Sequence, residues 1–197
     1  DEVNYNLNIT GPAALTLTKF TKGALTVTDV TTVSLSGHRG NVTLDGVANF
    51  TSDKLVGALS LNSTNDLKTI NVTGALDDDT TLATAATTYP SIATALKNQT
   101  ALTSATFAGG FVTIDLTGAS NLTSITNTAQ ISTLTLSGNN DLTSATIGGK
   151  INSLTVTGAD DLLTLDLTHT TFTSTTLKSG SLVVTSNPKL ESLTSVA

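Results

Sequence analysis

The chain contains no cysteine, no methionine and no tryptophan, and only three prolines among 197 residues. Without cysteine, neither a disulfide framework nor a thiolate-ligated metal site is possible. Aromatics are few, five Phe and two Tyr, which argues against an irregular, aromatic-filled enzyme core and for thin aliphatic layers. Charge is sparse at 12%, with nine bases against fifteen acids and Arg39 as the only arginine. That balance leaves no basic patch for phosphates and excludes nucleic acid as a partner. No apolar run of about 18 residues occurs, so no segment reads as a membrane span. Asp1 stands where a Met would begin a chain, which suggests that a leader or flanking region has been removed.

What is present is threonine and a repeat. The apolar share of 38% is enough for a core, and the length suits one domain or two small ones. Phe111, Ile131 and Ile151 recur every 20 residues, as do Gly118, Gly138, Gly158 and Leu122, Leu142, Leu162. The unit reads ISTLTLSGNNDL from Ile131 to Leu142, with copies at Phe111–Leu122 and Ile151–Leu162. Looser copies lie at Ala58–Leu67 and Ser181–Leu190, the latter after an insertion around Thr170–Thr176.

Alternation in Thr133-Leu134-Thr135-Leu136-Ser137 sends leucines to one face and hydroxyls to the other. Gly138 then turns the chain, Asn140-Asp141 suits a turn, and Gly148-Gly149 offers a second tight corner. One such coil cannot bury its leucines alone, whereas stacked coils bury a continuous column. In the N-terminal part Leu15/Leu17, Leu25/Val27, Val33/Leu35 and Val42/Leu44 recur about every ten residues. Two short strands per coil would again give about twenty. Thr80–Leu102 breaks the pattern: Ser91 can cap a short helix to Lys97 with Ile92 and Leu96 on one side. The expected architecture is an all-β solenoid, a parallel β-helix of about 20-residue coils with one short helical insertion. It divides into N-terminal coils over 1–79, an insertion or hinge over 80–102 and C-terminal coils over 103–197, or forms one continuous domain.

The stretch Ile131-S-T-Leu134-T-Leu136-S-G-Asn139-N-D-Leu142 resembles the leucine-rich repeat pattern LxxLxLxxN, with its final Leu displaced by one residue. It is similar to the short, irregular repeats of receptor L-type domains and bacterial surface proteins. The Thr-, Ser-, Ala- and Gly-rich acidic composition also resembles S-layer proteins and secreted adhesins. These resemblances imply β-solenoid coils, a structural or binding role and, in the S-layer case, assistance by calcium. The calcium-binding nonapeptide GGxGxDxxx of many secreted proteins is absent from this sequence.

Candidate sites are few. Asp77-Asp78-Asp79 is the one dense acid run, and hard carboxylate oxygens suit calcium. The same run in a loop is more simply solvated, or caps the segment after it. The pairs Asn65-Asp66, Asn140-Asp141 and Asp160-Asp161 could form a second cation array, although turn chemistry accounts for them more simply. His38, in the turn Gly37-His38-Arg39-Gly40, reads as an exposed loop tip, and His169 lies far from it in sequence. Neither falls in a catalytic motif. Asp45, Asp115 and Asp166 form no evident acid–base pair, so the expected class is not an enzyme. Seven Asn-x-Ser/Thr sequons, at Asn8, Asn41, Asn49, Asn62, Asn71, Asn98 and Asn121, matter only in a host that glycosylates secreted chains.

The remaining candidate is the hydroxyl face. Asp115, Thr117, Thr135, Ser137, Thr155 and Thr157 would project from consecutive rungs about 4.8 Å apart, as would Thr16/Thr18 and Thr26/Thr28. Asp45, Asn62, Asp115 and Val183 interrupt these columns. The expected role is that of an extracellular, cell-surface structural segment of S-layer, scaffold or adhesin type. Its partners would be further copies or neighbouring domains of a longer chain. The alternative is a module that binds glycan or ice through the Ser/Thr face.

Overall fold

Strict alternation of Leu or Val with Thr makes each short segment half apolar, so it is stable only as a strand with one face turned inward. The computed structural model describes residues 6–18, 23–38, 40–53, 58–62, 66–73, 95–108, 110–128, 130–172 and 181–195. The fold is an all-β parallel solenoid. Its N-terminal strands are β1 (Leu7–Thr10), β2 (Ala14–Leu17), β3 (Leu25–Thr28), β4 (Thr32–Leu35), β5 (Val42–Asp45), β6 (Asn49–Ser52), β7 (Leu59–Leu61) and β8 (Thr69–Val72). There follow β9 (Ser104–Phe107), β10 (Gly110–Asp115), β11 (Ser124–Asn127), β12 (Gln130–Ser137), β13 (Ser144–Thr157), β14 (Thr164–Phe172), β15 (Ser181–Thr185) and β16 (Ser192–Ser195).

Among the described residues each coil contributes one strand to each of two faces, except the coil of β9, which is preceded by turns from Ala95. The first face runs β1-β3-β5-β7 in the N-terminal part and β10-β12-β13-β15 in the C-terminal part. The second is one long parallel ladder, β2-β4-β6-β8-β9-β11-β13-β14-β16. β13 serves both faces by bending through Gly148-Gly149, where Gly149 has φ +82° and the register against β14 breaks. The corner expected there is therefore a bend within one strand. Coil steps are 18 and 17 residues in the N-terminal coils and 20 in the regular coils after Asn49, with longer steps of 35 between β8 and β9 and 28 into the last coil. The ten-residue phasing of the N-terminal part follows from its two strands alternating between faces.

The helical insertion expected over 80–102 falls mostly outside the described residues, Ser91 and Ile92 included. From Ala95 the chain makes turns, with Leu102 N donating to Gln99 O at 3.1 Å. No helix occurs among the described residues. Thr69 pairs with Ser104, so the long ladder passes directly from β8 to β9.

The core is a stack of aliphatic layers. On the first face Leu25, Val27, Leu44, Ile114, Leu116, Leu134, Leu136, Leu154 and Val156 are buried. On the second, large and small side chains share a rung: Phe50 sits beside Ser52, and Phe107 beside Ala105, all buried. Leu67, Leu102, Leu122, Leu142 and Leu162 form the column that closes each longer corner.

The first-face strands β1, β3, β5, β10, β12, β13 and β15 are followed by the left-handed residues Gly11, Asp29, Gly46, Gly118, Gly138, Gly158 and Ser186, and Asn98, whose N–H donates to Thr117 O, holds the same positive φ in the turn beside Gly118. Only Gly takes this conformation freely, with Asx the next best tolerated. One position later, Gln99, Ala119, Asn139, Ala159 and Asn187 point into the stack. Asn139 is fully buried and donates through Nδ2 to Leu116 O at 2.8 Å and Ala119 O at 2.9 Å. Asn187 repeats the device, donating to Val156 O at 3.2 Å and accepting from Ala159 N at 3.0 Å. An amide thus joins the main chain of the neighbouring coil, whose own residue at this position is Ala. This Asn occupies the place of the terminal Asn in the repeat pattern LxxLxLxxN.

Candidate functional site

Because side chains alternate along each strand, the register of the long ladder fixes which hydroxyls line up outside it. One column runs Thr16, Ser34, Thr51, Asn71, Thr106, Thr126 and Thr146, then Asp166 and Thr194. The other runs Ala14, Thr32, Asn49, Thr69, Ser104, Ser124, Ser144, Thr164 and Ser192. Rungs lie about 4.8 Å apart, and the two columns roughly 6.6 Å apart along the strand. The result is a two-dimensional array of hydroxyls, amides and methyls whose only charge is Asp166.

Neighbouring rungs bond to one another within this array. Thr69 Oγ1 donates to Asn49 Oδ1 at 2.9 Å, and Asn49 Nδ2 to Thr32 Oγ1 at 3.4 Å. Beside it runs a third column. Thr103 Oγ1 donates to Lys68 O at 3.1 Å, Thr123 Oγ1 to Thr103 O at 2.9 Å and Thr143 Oγ1 to Thr123 O at 3.1 Å. These threonines commit their protons to the backbone and leave a lone pair and a methyl facing solvent. Leu163 ends the column and is 40% exposed.

The residues expected to form a ligand face lie on the first face. Asp115, Thr135 and Thr155 share one column, which ends at Val183. Ser137 and Thr157 share the next, with Thr185. Thr117 joins them, since the flanking Leu116 N and Gly118 N bond to Thr135 O and Ser137 O. All six are half-buried. Thr185 Oγ1 donates to Thr157 Oγ1 at 3.1 Å. Asp115 turns back to accept from Thr117 N at 2.9 Å, a local turn that lowers its availability to a ligand.

Reading the sequence missed the longer array on the second face. The signal was available as Leu-Thr-Ser-x-Thr at Leu102, Leu122 and Leu142, a 20-residue echo beside the leucines already counted. In the N-terminal half the same positions vary among Thr, Ser, Asn and Ala, which hides the echo.

Asp77, Asp78 and Asp79 lie outside the described residues, as does Asn65 of the turn pairs. Asp141 and Asp161 stand at successive corners, Asp161 N donating to Asn140 O at 3.1 Å, and Asp161 pairs with Lys189. No group of three or more His, Asp or Glu able to hold a metal ion occurs among the described residues. His38 is not an exposed loop tip: it is buried, 1% exposed. Gly37, at φ +70°, turns the chain so that the imidazole folds inward. His169 stands exposed on β14 opposite Gly148, separated from His38 by several rungs. Asp45, Asp115 and Asp166 belong to different rungs, Asp166 on the second face and the others on the first. The Asp166 carboxyl is held below its ordinary value by the Thr168 hydroxyl, then by the Thr168 backbone N–H, which donates at 2.9 Å.

Comparison with protein-family models, with curated proteins and with solved structures finds no match to this chain.

Proposed function

We propose that this chain is a structural segment of an extracellular surface protein, a scaffold or adhesin of the S-layer kind, and that it is not an enzyme. The observation that carries this reading is the uninterrupted parallel ladder from β2 to β16 over a continuous aliphatic column. Such a stack is a stiff, quasi-one-dimensional element in which each coil is held by its neighbours. A charge-poor, hydroxyl-rich exterior suits a crowded surface layer. Calcium belongs to this reading through Asp77–Asp79. Immunogold labelling of intact, unpermeabilised source cells tests it. A coat of label that surface proteolysis removes is expected; label confined to permeabilised cells overturns it.

The second-face array favours a second reading, a ligand-binding module. Ordered hydroxyls and methyls at fixed spacing, free of charge from Thr16 to Thr146, suit an extended, repetitive ligand such as a glycan or an ice surface. Thermal hysteresis and a glycan array distinguish the two ligands, with Thr126→Lys, at the centre of the array, as the blocking variant. If the unmodified chain gives neither signal at high concentration, this reading falls.

A further inference from the structure

We propose that this chain is N-glycosylated, and that Asn98 and Asn121, in the corner turns of neighbouring coils, carry the sugar. Only an exported chain meets the enzyme that makes this bond, so the modification rests on the extracellular reading while going beyond it.

All seven Asn-x-Ser/Thr sequons end in Thr, and none has Pro at its middle position. Such an acceptor belongs on the surface, and the fold sorts the asparagines by that criterion. Asn127, Asn139 and Asn187 face the stack. Each donates through Nδ2 to a carbonyl of the adjoining coil, Gly148 O, Leu116 O and Val156 O respectively, and Asn127 and Asn139 are fully buried. None of these three begins a sequon: two residues on stand Ala129, Asp141 and Lys189, with Pro188 directly after Asn187. Asn41, Asn62, Asn98 and Asn121 all begin sequons, and all four are exposed.

Among the sequons geometry selects further. Asn49 and Asn71 stand half-buried in the second-face array. Asn49 Nδ2, the atom that would bond to sugar, donates to Thr32 Oγ1 at 3.4 Å, while its Oδ1 accepts from Thr69. Asn71 has its Oδ1 buried. Asn98 and Asn121 lie in turns instead. Asn98 holds φ +60°, and its N–H donates to Thr117 O at 2.8 Å. Its Oδ1 rests against Gly118, where an added Cβ would stand 2.4 Å from it. Asn121 Oδ1 accepts from Ser120 Oγ at 3.4 Å. In both, the amide oxygen is the atom that meets protein, and the nitrogen is the atom left for a sugar. Thr100 and Thr123, which complete these sequons, are exposed as well.

The transfer needs one co-reactant, an oligosaccharide carried on a polyprenyl phosphate. Asn Nδ2 bonds to the anomeric carbon, the anomeric C–O bond breaks, and the lipid phosphate leaves with the electron pair. The amide gives up one proton to a base of the transferase, and nothing is oxidised or reduced. Neither acceptor lies in a strand, so a bulky sugar there leaves the ladder's hydrogen bonds intact.

Mass spectrometry of the chain purified from its source cells tests the assignment. The intact mass is expected to exceed that of the polypeptide. Fragmentation of its peptides should place oligosaccharide on Asn98 and Asn121 and find Asn49 and Asn71 bare. Thr123→Val, made in the same cells, keeps the branched shape and removes the sequon hydroxyl. It is expected to empty Asn121 while Asn98 stays occupied, and Asn121→Gln, at the same exposed turn, should lose the same mass. Unmodified peptides at both Asn98 and Asn121 overturn the proposal. So does sugar on Asn49 and Asn71 as abundant as on the exposed pair, or sugar that stays on Asn121 in Thr123→Val. A chain labelled at the cell surface but of bare polypeptide mass would sink the glycan alone. A glycosylated chain that labelling finds only in permeabilised cells would sink the surface reading alone.

Discussion

Asn139 adds a second hydrogen bond to Leu116 O and to Ala119 O, which already accept the turn N–H groups of Ala119 and Leu122. Replacing it with Leu removes two buried hydrogen bonds, worth about 0.5–1.5 kcal/mol each and so about 1–3 kcal/mol together. Urea denaturation is expected to show that loss for Asn139→Leu, while Asn140→Ala, one residue along and exposed, stays within about 0.5 kcal/mol. The same comparison checks the strand faces. Leu134 is fully buried and Thr135 looks outward, so Leu134→Ala should cost about 2–5 kcal/mol and Thr135→Ala about 0.5 kcal/mol or less. Asp166 gives a pH signature. Its carboxyl is held below the ordinary 3.8 by Thr168, so its contribution to stability is present above 3.8 and is lost as pH falls through the lowered folded value. A carboxyl titration followed by NMR should find its midpoint under 3.8, and Thr168→Val should move it back upward.

Corners are where one element's constraint is passed to the next coil. Gly118 and Gly138 hold similar left-handed angles, φ +74° and +64°. A Cβ on Gly138 would meet nothing within 4 Å, whereas one on Gly118 would collide with the Asn98 side chain. Gly138→Ala should therefore cost only the backbone strain, about 1–2 kcal/mol, and Gly118→Ala visibly more in the same denaturation assay. Combining Gly118→Ala with Asn98→Gly should recover the difference but not the strain. These corners also explain what could be read from the residues alone. The period of Gly118, Gly138 and Gly158 announces the left-handed column, and Thr-Leu-Thr alternation announces which side is wet. The shortening to 17 residues was not legible, because a corner can lose three residues without changing either strand. The inward turn of His38 was hidden for a related reason: glycine-flanked turns look alike in sequence whether their tip points in or out. The hydroxyl array of the second face depends on stacking register, which brings Asn71 beside Thr106 across a long excursion that no local pattern discloses.

Taken as one molecule, the solenoid has no centre. Among the described residues each rung is stabilised by two neighbours except the outermost, which have one. Amide hydrogen exchange should accordingly be slowest in β9, β11 and the first half of β13 and fastest in β1, β2, β15 and β16, a gradient set by distance from the ends.

The long ladder steps forward by 18 and then 17 residues in its first coils, by 20 in its regular later coils, by 35 between β8 and β9 and by 28 into its last coil, yet its register resumes each time. Pairing is set by the strand and left-handed corner of each coil, so chain inserted between them is invisible to the rest of the stack. Such a rod can be written on. New segments of varied length and chemistry can be spliced at its corners, like tags on a rail, and presented at multiples of one fixed spacing without any redesign of what holds it together.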